Sequence, residues 1–128
     1  TSPSPAPNLR ALELLRSKGL DTAGLRSKSL SEFRGPDVPQ MDFVFTVCDQ
    51  AANEDCPTWA GQPISAHWGV PDPVQAQGTD AERNYAFQEA FGALRNRIRA
   101  FTALPVDTLD RLSLQKHVDD IAQQQEHA

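Results

Sequence analysis

A chain of 128 residues is one domain or a large piece of one, and 39% hydrophobic with 23% charged residues is ordinary for a globular chain with a small core. A net charge of −5 argues against broad nucleic-acid binding, which wants a basic face. No apolar run approaches a membrane span and no charged-then-apolar leader opens the chain, so a cytoplasmic protein is expected.

Thr1 to Pro7 carries three prolines in seven residues and reads as an extended arm. Asn8 is a candidate N-cap for a helix from Leu9 to Lys18, closed by Gly19, with Leu12 and Leu15 on its buried face. Asp21–Gly24 reads as a turn, Ser29–Phe33 as a short helical turn, and Gly35–Pro39 as a break. Phe43-Val44-Phe45-Thr46-Val47 is the clearest strand, of the apolar kind buried on both faces of a parallel sheet. Cys48 stands at its end, and a polar loop runs from Asp49 to Pro57 through Cys56. Ile64–Trp68 is a weaker second strand, entering Gly69-Val70-Pro71-Asp72-Pro73.

Thr79-Asp80-Ala81-Glu82 is a capping box for a long helix. Phe87, Phe91, Leu94, Ile98 and Phe101 recur on it at helical spacing and are assigned to the core, while Arg95, Arg97 and Arg99 read as a solvated basic strip. After Pro105, Asp107 or Thr108 caps a last helix carrying Leu109, Leu112, Val118 and Ile121. This order is α/β with a parallel sheet, yet two strands are narrow for a sheet that helices must cover on both faces. The pattern is therefore expected to be incomplete.

Two cysteines are too few for a secreted disulfide scaffold. Inert thiols, half a metal site and a redox pair all remain open for Cys48 and Cys56 on residue type. A zinc site from these two with His67 and His117 has the right donors but not a usual spacing. His67 is more readily a structural hydrogen-bonding residue than a catalyst. Asp72, between two prolines, suits a turn as well as a site, and Trp59 and Trp68 suit either packing or partner contact. Ligands of open α/β sheets sit beyond the carboxyl ends of the strands, which puts Cys48 and the Trp68–Pro73 loop on the functional edge.

Phe43 to Asp49, Cys56-Pro57 and His67-Trp68-Gly69-Val70-Pro71-Asp72-Pro73 together resemble the arsenate reductases related to low-molecular-weight tyrosine phosphatases. Asn8–Leu15 and Gly24–Ser29 extend the resemblance upstream, and Asp110–Lys116 is similar to a C-terminal extension of a bacterial branch. The resemblance implies a three-layer fold with helices on both faces of a parallel sheet. After the proline-rich arm over 1–7, it implies a truncated phosphatase-like domain over 8–104 and a helical extension over 105–128. In that family a first βαβ unit carries a Cys-x5-Arg loop that holds the oxyanion. No cysteine precedes Cys48, and the residue six places on is Glu54 after Cys48 and Gln62 after Cys56. The first βαβ unit is therefore expected to be missing and the isolated chain inactive.

By resemblance, the catalytic residues of an arsenate reductase in this chain are Cys48, Cys56 and Asp72. Cys48 corresponds to the cysteine that resolves a cysteine–arsenic adduct, and Cys56 to the one that takes over the disulfide. Such exchange needs a polar loop that lets each thiolate reach a different sulfur, as Asp49–Asp55 would. Asp72 corresponds to the general acid. Arsenate is the implied substrate, with thioredoxin, or glutathione with glutaredoxin, as reductant. No cofactor, resident metal, nucleic acid or membrane is implied, and Lys28 stands where some relatives carry an aspartate near a cation. A tyrosine phosphatase is the enzymatic alternative. The other is a non-catalytic remnant that acts as an interaction module or pairs with a separately made first half, marked by an exposed apolar edge on Phe43–Val47, with a homodimer or swapped oligomer as the assembly.

Overall fold

A computed structural model describes residues 4–33, 35–47 and 61–124. Helix α1 spans Leu9–Ser17, and the Asn8 side chain accepts from the Arg10 and Ala11 amides at its start. It closes as a Schellman turn: Leu20 N–H donates to Leu15 O at 3.0 Å and Gly19 N–H to Arg16 O at 3.0 Å. The turn needs a left-handed residue, and Gly19 supplies it at φ 79°. A 3-10 turn follows at Leu30–Phe33.

Strands β1 (Phe43–Thr46) and β2 (Ile64–His67) pair in parallel, with Phe43 opposite Ile64 and Thr46 opposite His67. The alternation of a pleated strand puts Phe43, Phe45, Ile64 and Ala66 on one face and Val44, Thr46, Ser65 and His67 on the other. All four β1 residues are half-buried rather than buried on both faces as the run of apolar residues suggested. A 3-10 turn at Pro73–Gln75 leads into α2, Asp80–Thr102. The capping box forms in full, with Glu82 N–H on the Thr79 hydroxyl and the Glu82 carboxylate on the Thr79 amide. Helix α3 spans Arg111–Gln124.

Ile64, Trp68, Leu114, Val118 and Ile121 form the core, with Phe43, Phe45, Ala66 and Phe101 packed on it. Phe45 and Trp68 stack with centroids 3.8 Å apart, and the Phe101 ring meets Phe43 edge-on at 4.9 Å. Helices α2 and α3 thus cover the aromatic face of the pair.

Three expectations need correction. The α3 cap is Asp110, which accepts the Ser113 amide at 2.8 Å, rather than Asp107 or Thr108. On this helix Leu114, Val118 and Ile121 share one face at spacings of four and three, and Leu112 lies on the opposite side and is 83% exposed. On α2 the solvent and core positions near the C-terminal half are exchanged: Ile98 is 53% exposed and Arg97 only 4%. Helix α1 runs beside the first half of α2, with Arg10 on Asp80 and Lys18 over the Phe91 ring, and ends before it could cover Ile98.

Candidate active site

Asp72 lies beyond the carboxyl end of β2, at the edge where α/β proteins place ligands. The two strands stay tied after the sheet ends. Trp68 N–H donates to Thr46 O at 2.7 Å and Val70 N–H to Val47 O at 2.8 Å. Val47 immediately precedes Cys48, and Val70 stands two residues before Asp72. The chains leading to the cysteine and to the acid therefore leave from a hydrogen-bonded pair. Cys48, Cys56 and Trp59 themselves lie outside the described residues.

The Asp72 side chain is exposed, and its Oδ1 accepts from Val74 N–H at 3.0 Å, capping the 3-10 turn. The turn and acid roles proposed for it from sequence are compatible, because one oxygen shapes the turn and Oδ2 has no hydrogen bond among the described residues. Pro71 and Pro73 restrict the backbone on both sides.

Asp72 borders an open cleft of about 700 Å3 between this loop and α2. Gly69, Tyr85, Ala86, Glu89 and Arg97 line it as well. Tyr85 and Glu89 stand one helical turn apart, and a hydrogen bond to the Glu89 carboxylate, with its charge, raises the Tyr85 phenol above its ordinary value. On the other side of the same loop, Asp72 also borders an apolar hollow of about 340 Å3 between α1 and α2, walled by Leu14, Val70, Phe87 and Phe91.

His67 pairs with Thr46 across the strands, Thr46 Oγ1 and His67 Nδ1 being 2.7 Å apart, as the structural reading of this histidine expected. Trp68 belongs to the core: it is 2% exposed, and its Nε1 donates to Val118 O at 3.0 Å. The residue that sequence reasoning missed is Arg97. Its Nη1 donates to Trp68 O at 2.5 Å and Gly69 O at 3.0 Å, from within the protein. The helical phase carried the signal, since Arg97 falls on one stripe with Ala90, Ala93 and Phe101.

The profile of the low molecular weight phosphotyrosine protein phosphatases matches residues 1–118. The chain belongs to that family. Its parallel strands and flanking helices are the α/β fold expected from the sequence. Curated relatives in the family are arsenate reductases. That of Bacillus licheniformis is 33% identical over 95 residues, covering 73% of this chain and 65% of the relative. That of Bacillus subtilis is 32% identical over 95 residues with the same coverage. That of Oceanobacillus iheyensis is 29% identical over 100 residues, 66% of this chain and 71% of the relative. The chain thus spans about 65% of the length of the two Bacillus proteins. Among the described residues no helix is long and apolar enough to cross a membrane.

Proposed function

We propose that this chain serves arsenate reduction, contributing the disulfide relay through Cys48 and Cys56 and the general acid Asp72. The observation that carries the reading is the bond between Val47 and Val70, which brings the approach to Cys48 and the approach to Asp72 to one sheet edge. Arsenate reductases among its relatives, at about one-third identity, favour the same reading. A phosphatase would use the acid but has no need of a cysteine pair.

The chemistry divides between this chain and a Cys-x5-Arg loop, a sequence these 128 residues do not contain. The loop thiolate attacks arsenate, and Asp72 gives its proton to the departing oxygen, which leaves as water. The Cys48 thiolate then attacks the loop sulfur. The sulfur–arsenic bond breaks with its electron pair on arsenic, arsenite departs, and a disulfide forms. Cys56 attacks the Cys48 sulfur and frees the loop thiolate, and a thioredoxin-type dithiol, or glutathione with glutaredoxin, reduces the Cys48–Cys56 disulfide. Two electrons pass from thiols to arsenic, and the relay returns to its starting state. A reducing compartment such as the cytoplasm suits this cycle.

The test is arsenate-dependent oxidation of a thioredoxin system by the 128-residue chain, beside one with a family first βαβ unit joined ahead of it. Turnover is expected in the joined chain alone. There, Cys48→Ser should abolish arsenate reduction while sparing phosphoester hydrolysis. Hydrolysis with no arsenate-dependent thiol oxidation would make the protein a phosphatase. Turnover by the 128-residue chain alone would make Cys48 or Cys56 the nucleophile and overturn both assignments.

A further inference from the structure

Arg97 sits in a place where a cation is costly. A guanidinium removed from water loses its hydration, and only groups aligned on its N–H donors compensate. An apolar side chain at this position of α2 would extend the Phe101 and Ala93 stripe without that penalty. What the arginine adds is a specific tie, because a single nitrogen, Nη1, is shared by the consecutive carbonyls of Trp68 and Gly69.

Those carbonyls stand at the root of the loop that carries Asp72, and every step from root to carboxylate is constrained. Trp68 is fixed through its backbone N–H to β1, its indole N–H to α3, and its carbonyl to Arg97 on α2. Val70 is buried and bonded to Val47. Pro71 and Pro73 stiffen the next positions, and the Asp72 side chain is bonded to Val74 N–H. A shift at Gly69 has little slack in which to dissipate before it reaches Asp72, three residues on. A displacement of about 1 Å is enough to impair a proton transfer.

We propose that Arg97 is a positioning residue, holding the Trp68–Gly69 carbonyls so that Asp72 is presented at a fixed place beside the cleft. This rests on the reading of Asp72 as the acid. Arg97 borders the same cleft and acts on Asp72 through the backbone of the loop.

Amide hydrogen exchange on the 128-residue chain tests the tie without any activity. In Arg97→Met, the Val70 and Val74 amides should exchange roughly tenfold or more faster, while those of Val118 and Ile121 in α3 keep their protection. Arg97→Lys retains the charge but not the planar fork, so it should loosen the same two amides by less. It also serves where the Met variant does not fold. Unchanged exchange at Val70 and Val74, or an equal rise at all four amides, in the Lys variant overturns the proposal.

The second arm uses the chain joined to a family first βαβ unit. Arg97→Lys should lower kcat for arsenate several-fold at unchanged KM, and the double variant with Asp72→Asn should be no slower than Asp72→Asn alone. Losses that multiply would mean that Arg97 acts independently of Asp72 and would overturn its positioning role. A costless Asp72→Asn would sink the acid reading and this proposal with it. The exchange data distinguish that result from a failure of the Arg97 tie itself.

Discussion

Helices α3 and α1 are both short, amphipathic and well capped, yet they are held very differently. Helix α3 buries Leu114, Val118 and Ile121 against β2 and Trp68, with Val118 wholly inaccessible. Its polar side chains also reach the strand and the segment entering it: Gln115 Nε2 donates to Ser65 O at 2.9 Å, and Arg111 Nη2 donates to Gln62 O, two residues before β2, at 2.5 Å. Ser65 lies on the edge of β2 away from β1, so the helix occupies a backbone acceptor that an edge strand would otherwise present. Helix α1 buries no residue fully and borders the apolar hollow on α2. Its polar ties to α2 include Arg10 to Asp80 at 2.8 Å and Arg10 to Asn84 at 2.5 Å, on the surface. Caps and periodicity make a helix. What anchors it is the apolar surface it finds, and here that lies on the β2 side.

Substitutions on the two sides should separate accordingly. Trp68→Ala removes the ring that stacks on Phe45 and the donor to Val118 O, and should cost about 3–5 kcal/mol in denaturant unfolding. Trp68→Phe keeps an aromatic face and should cost much less. On α1, the half-buried Leu15 borders the hollow, so Leu15→Ala should cost about 1 kcal/mol. A Leu15 cost equal to that of Trp68 would show α1 to be as firmly seated as α3.

Much of this architecture was legible because it depends on local rules. Asn8 and the Thr79–Glu82 box cap helices wherever they occur, Gly19 supplies a left-handed turn, and the Phe43–Val47 run has no better use than a strand. The errors arose where a distant segment decides. Helical phase leaves open both the Ala90–Ala93–Arg97–Phe101 stripe and the one through Ile98, and side-chain polarity argues for Ile98. The choice follows from two carbonyls beyond β2 that α2 meets and from the point where α1 stops. Leu112 is an error of phase, since it is grouped with Val118 and Ile121 although it lies on the other side of the helix. Leu112 and Leu114 lie on opposite sides of any helix that contains both, and Leu114 is the one in phase with Val118 and Ile121. At the candidate site, the prolines around Asp72 read as a turn and its acid role comes from the resemblance, whereas Arg97 carries the wrong charge for a core prediction. Cys48 and Cys56 were singled out by resemblance, and the loop between them lies outside the described residues.

The caps themselves extend the contrast between the helices, with the smallest expected effect. Asn8 is neutral, whereas Asp110 is ionisable, and its carboxyl is held below the ordinary value of 3.8, first by the Ser113 amide and then by the Ser113 side chain. A carboxyl depressed by folding stabilises fully above its unfolded-state pKa, and that contribution fades as pH falls through the lower folded-state value. Acidification from about pH 5 toward pH 2 should therefore loosen the first turn of α3 while leaving the first turn of α1 capped. Asparagine caps about as well as aspartate and does not titrate there. Asp110→Asn should match the parent near neutrality and lose less protection at the Ser113 and Leu114 amides in acid. The depressed Glu32, paired with Arg26 away from both caps, titrates in the same range in both chains and cancels in the difference. Identical acid profiles at Ser113 for the two chains would mean that the Asp110 charge contributes nothing to the cap. In that event the firmer hold on α3 would lie in its core face and its ties to β2.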